Sequence, residues 1–82
     1  MQPTSRFDAT FLHLHALIAD LDWRVRMLDA DIREEEDKAG NADPSSSTYP
    51  MLAQTMRTRQ DNLRASIAML ESRLPADVAR AA

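Results

Sequence analysis

Apolar side chains return at alternating steps of four and three through the first half of this chain: Phe7, Phe11, Leu14, Ile18, Leu21, Val25, Leu28 and Ile32. That rhythm is the heptad seam of one long helix. Helix 1 is expected from about residue 5 to residue 39, a rod of roughly 50 Å at 1.5 Å per residue. Ser5 followed by Asp8 fits a capping box at its start, with residues 1–4 as a loose tail. Gly40, just past Lys38 and Ala39, stands where a left-handed C-terminal cap belongs.

A rod with one apolar seam needs something to cover it, and the second half of the chain supplies a match. After a turn-forming stretch at 40–48, Pro50 predicts the first turn of helix 2 and holds Tyr49 outside it. Helix 2 then carries Tyr49, Ala53, Met56, Gln60, Leu63, Ile67, Leu70 and Leu74, again at steps of four and three. Pro75 ends it, and residues 75–82 are a tail. Folding the chain back about Pro44 sets Ile32 against Met56, Val25 against Leu63, Leu21 against Ile67 and Ile18 against Leu70. The same register puts Arg57 beside Asp29, Arg64 beside Asp22, Glu71 beside His15 and Arg59 beside Asp31. The expected fold is therefore all-α: a single antiparallel two-helix hairpin. A parallel two-stranded coiled coil through helix 1 is the competing arrangement, since β-branched residues at one seam position with Leu at the other suit it. It leaves helix 2 with nothing to cover.

Size then limits how such a hairpin is stabilised. A chain of 82 residues buries only about 60% of its extended surface. With no cysteine, disulfides and cysteine-based metal sites are excluded. The remaining route is association, and a second apolar line on helix 1 points to it. Leu12, Ala16, Ala19, Trp23, Met27 and Ala30 lie on nearly the opposite face from the seam, while Leu17 and Leu52 widen the seam itself. A helix apolar on two faces is sandwiched between neighbours, and Trp is a common interface anchor. The expected partner is a second copy of the chain, most simply a homodimer of hairpins forming a four-helix bundle. Another protein presenting a basic or apolar helix face is the further possibility.

The acidic run Glu34, Glu35, Glu36 and Asp37 crowds negative charge at the negative end of the helix dipole. It reads as a solvated helix end, or as an acidic docking patch for a basic partner. It lacks the glycine turn and ligand order of an EF-hand. His13 and His15, two residues apart on a helix, point to nearly opposite sides and cannot share one metal. Ser66 and Ser72 have no base arranged around them, and no glycine-rich phosphate loop occurs. No catalytic, cofactor or metal site is expected, and the chain reads as a non-enzymatic interaction protein: a small adaptor, regulator or assembly subunit.

The alternative is an RNA- or DNA-binding bundle using Arg24, Arg26, Arg57, Arg59 and Arg64. The net charge of -3 argues against it, because phosphate contacts need a basic face. No stretch approaches the roughly 20 apolar residues that span a bilayer. His13 and His15 interrupt the one segment, 11–19, that could pass for the apolar part of a signal peptide. A cytoplasmic setting is expected, and the preponderance of Arg over Lys suggests a GC-rich bacterial genome.

Overall fold

The computed structural model describes the backbone of residues 3–74 and the side chains of residues 11–74. Among these residues the secondary structure is all helical: α1 spans Pro3–Ala39 and α2 spans Met51–Glu71. The two pack against each other in a rod with principal extents of 60 × 18 × 17 Å. They run antiparallel, since Glu36 near the end of α1 meets Arg57 while Val25, three turns earlier, meets Gln60.

Each boundary has a local cause. Proline is compatible with a first helical position because its missing N–H has no partner there, and α1 starts at Pro3. Ser5 therefore lies inside the helix rather than capping it. The side chains of Ser5, Phe7 and Asp8, and everything from Pro75 onward, lie outside the described residues. At the other end Gly40 adopts φ 65°, a conformation glycine reaches without a Cβ clash. Gly40 N–H donates to the Asp37 carbonyl at 3.2 Å, and Asn41 N–H to that of Glu36 at 3.1 Å. This pair of bonds is the Schellman closure expected from Gly40.

Pro50, extended at φ -61° and ψ 129°, precedes α2 without a side-chain capping bond. Its carbonyl accepts the first helical bond, from Gln54 N–H at 3.1 Å. α2 stops at Glu71, short of the expected end at Leu74. Arg73 N–H turns back to the Leu70 carbonyl at 3.0 Å and Leu74 N–H to that of Glu71 at 3.1 Å. These tighter turns still deliver Leu74 to the interior.

The core follows both predicted seams. Phe11, Leu14, Ile18, Leu21, Val25, Leu28 and Ile32 on α1 are all buried or half-buried, as are Tyr49, Ala53, Met56, Gln60, Leu63, Ile67, Leu70 and Leu74. Packing is tightest near the connection, where Ile32, only 2% exposed, meets Tyr49 and Ala53. Met56 closes against the same cluster. Ala53 is fully buried, and its small side chain allows the two helix backbones to approach here.

The predicted cross-helix charge pairs are not the ones formed. Asp29 holds Arg33 at 3.1 Å, Asp22 holds Arg26 at 3.0 Å and Arg64 faces Asp61 at 3.8 Å. Partners one turn away on the same helix are in reach whatever the tertiary register, so they capture these side chains first. Among the described residues no ion pair joins Glu71 to His15 or Arg59 to Asp31. Arg57 does cross between helices, but to Glu36 rather than to Asp29.

Candidate functional site

Two places in the rod carry more than packing: a polar knot at the connection end and an uncovered apolar face along α1.

The knot is built from the seam itself. Tyr49 occupies a seam position, so its ring is buried against Ile32 and Ala53 and its hydroxyl must find a partner there. It donates to Glu36 Oε2 at 2.6 Å and accepts from Arg57 Nε at 2.7 Å. Arg57 Nη2 donates to the same Glu36 oxygen at 3.0 Å, closing a triangle. The guanidinium carbon stands 5.8 Å from the Tyr49 ring centroid. Glu36 is only 8% exposed, so it does not belong to a solvent-facing acidic patch with its neighbours Glu34, Glu35 and Asp37. The hydrogen bond from Tyr49, followed by that from Arg57, lowers the Glu36 pKa below its ordinary 4.5. Burial and the Glu36 contact raise that of Tyr49 above 10.0.

The rest of the acidic run stays at the surface. Glu34 and Asp37 are exposed and Glu35 is half-buried. Lys38 bridges Glu34 at 3.5 Å and Glu35 at 3.4 Å, an arrangement that raises the Lys38 pKa, chiefly through the hydrogen bond from Lys38 to Glu35. Among the described residues no group of three or more potential ligands gathers to hold a metal ion.

The connection is more ordered than its turn-forming composition alone required. Asn41 Nδ2 donates to Ser46 Oγ at 3.0 Å and to Thr48 Oγ1 at 2.8 Å, while its Oδ1 accepts from Asp43 N–H at 2.9 Å. Asp43 Oδ1 in turn accepts from Ser45 N–H at 3.0 Å and Ser45 Oγ at 2.7 Å. Those two bonds lower the Asp43 pKa. One amide therefore links the end of α1 to the approach to Tyr49.

The uncovered face consists of the residues singled out in the sequence. Leu12 is 68% exposed and Trp23 60% exposed, with Met27 and Leu17 also open to solvent. Ala16, Ala19 and Ala30 on the same helix are exposed too, as is Leu52 on α2. Leu17 and Leu52 thus flank the seam from outside rather than deepening it. Trp23 and Met27 also wall a groove of about 400 Å³ that continues across Leu28 to Leu63 and Arg59 of α2, with Arg24 and Asp31 on its rim. Arg59 and Asp31 line that groove without forming an ion pair.

Four of the five arginines considered for nucleic-acid contact are held by carboxylates. Arg24 bonds Asp20 at 3.1 Å, Arg26 bonds Asp22, Arg57 bonds Glu36 and Arg64 faces Asp61. Among the described residues no helix is long and apolar enough to cross a membrane. Compared with known proteins, the chain matches no family model, no curated protein and no solved structure.

Proposed function

We propose that this protein is a non-enzymatic, self-associating helical hairpin that serves as a small adaptor, regulator or assembly subunit in the cytoplasm. The observation that carries this reading is the exposed Trp23, set in a line of apolar residues on the face of α1 that α2 leaves bare. A contiguous exposed apolar patch on a small protein marks an interaction site. The intramolecular core is small for its part, centred on Ile32, Tyr49 and Ala53, and small chains gain stability by association. Two hairpins joined through α1 give a four-helix assembly.

The acidic surface of Glu34, Glu35 and Asp37 lies at the connection end, away from Trp23. It contributes solubility and orientation rather than affinity, since exposed ion pairs contribute about 0–1 kcal/mol each. The nucleic-acid alternative draws no support from the arginines, whose charges are largely met within the chain.

Light scattering at several micromolar concentrations tests the reading. The expected mass is twice the chain's 9.2 kDa, and a monomer throughout would end it.

A further inference from the structure

The bare face of α1 has an internal pattern. From one end to the other it runs large, small, small, large, large, small: Leu12, Ala16, Ala19, Trp23, Met27, Ala30. Reversed and laid against itself, the order places each bulky residue over an alanine. Leu12 falls on Ala30, Met27 on Ala16, and Trp23 on Ala19. The three matches share a midpoint at the level of Leu21, the Met27–Ala16 pair lying about half a residue beyond it. A parallel pairing would instead stack like on like, Trp23 on Trp23 and alanine on alanine, leaving a clash beside a void.

A second observation gives the same midpoint independently. α1 runs Pro3–Ala39, so its centre is also Leu21, and the antiparallel register that matches large to small is the one in which the two helices overlap from end to end. The charges beside the line agree. Asp20 and Arg24, paired at 3.1 Å within one copy, lie on the same flank near the midpoint. Two-fold symmetry sets Arg24 within about a turn of Asp20 of the second copy, so the like charges of the two Asp20 residues are met by a neutral ring of four groups.

Resting on the self-association reading above, we infer that the occupant of this face is α1 of a second copy, packed antiparallel about a two-fold axis at the level of Leu21, with Trp23 of each copy seated on Ala19 of the other. The two α1 helices form the middle of the assembly and the α2 helices flank it. Because the line lies nearly opposite the seam, the same helix is covered on both faces.

A size-swap series tests this. Ala19 and Trp23 are exposed in the hairpin, so helicity by circular dichroism should survive either change. Trp23→Ala leaves a hole at each end of the Trp–Ala contact, and Ala19→Trp forces two indoles together. Each is expected to weaken dimerisation at least tenfold in sedimentation equilibrium, as loss of an anchor contact does. The double variant Ala19→Trp/Trp23→Ala restores large over small and should return the dissociation constant to within a few-fold of the parent. A dimeric parent whose double variant stays as weak as the single variants would overturn the register while leaving self-association intact. A monomeric parent would remove both.

Nitroxide labels at Arg26→Cys and Arg33→Cys give an independent readout. The inferred axis predicts axial offsets of about 15 Å and about 36 Å between copies. Equal distances at the two sites would exclude the antiparallel arrangement.

Discussion

The hydroxyl of Tyr49 donates a 2.6 Å hydrogen bond to the carboxylate of Glu36, thirteen residues back across the connection. It fastens the approach to the return helix, one residue ahead of Pro50, to the last turn of the outgoing one. Arg57 reaches both partners from the next turns of α2, so phenol, carboxylate and guanidinium act as one clasp at the end where the interhelical core is tightest.

The clasp makes stability depend on pH in a defined direction. The folded-state pKa of Glu36 lies below its ordinary 4.5. Its contribution is therefore complete above that value and is lost as pH falls through the folded pKa, because the unfolded chain takes up the proton first. Tyr49 works in the opposite sense: its raised pKa gives a contribution present below its ordinary 10.0 and lost as pH climbs past it. Urea midpoints should be flat across neutral pH and fall below about pH 4.5. Asp43, also lowered, contributes to the acid limb, so the informative quantity is the difference from Glu36→Gln. That variant should be less stable at pH 7, and its gap to the parent should close on acidification. A gap independent of pH would mean the carboxylate charge plays no part.

Ile32 is the most buried large side chain and sits where Tyr49 and Ala53 converge. Ile32→Ala should cost about 2–5 kcal/mol in chemical denaturation. Leu12→Ala, on the bare face, should change the hairpin's own stability by less than about 0.5 kcal/mol. Similar losses at both positions would contradict the assignment of one face to the core.

Gln60 is 3% exposed and its Nε2 donates to the Val25 carbonyl at 3.0 Å. A polar seam residue held this way specifies register at some cost in stability. Gln60→Leu should preserve or raise the denaturation midpoint while loosening the register, seen as broadened or doubled amide resonances around Val25. A single sharp set of resonances with unchanged shifts would show that Gln60 does not select the alignment.

At Gly40 an added Cβ would meet nothing within 4 Å, so Gly40→Ala faces no steric obstacle, only the left-handed backbone. The expected loss is about 1–2 kcal/mol. Asn41→Ala removes the amide that bonds Ser46 and Thr48 and should raise hydrogen exchange across 43–49 before it affects the helices.

Most of the hairpin was legible because one physical rule, burial at heptad spacing, governs both helices. Each described seam position, from Phe11 to Leu74, obeys it. The side-chain polar contacts were less legible because they are decided by proximity after packing. Asp29 and Asp22 had arginines one turn along on their own helix, and those took precedence over partners across the interface. Glu36 was misplaced for a related reason: inside a run of acids it has the composition of surface, yet it lies one turn past Ile32 and faces a buried phenol. The signal was Tyr49, a seam residue whose hydroxyl needs a partner when buried. The Asn41 network had no periodic signature at all, since it depends on the path of a loop.

If the bare face of α1, with Trp23 at its middle, joins two copies of the chain, then removing the indole must separate them without unfolding either. Sedimentation equilibrium of the parent beside Trp23→Ala, at matched micromolar concentrations, decides this. The parent should have twice the 9.2 kDa mass of one chain, and the variant should shift toward the single-chain mass with its helicity intact. A parent that sediments as one chain at every concentration, or a variant as dimeric as the parent, would contradict it.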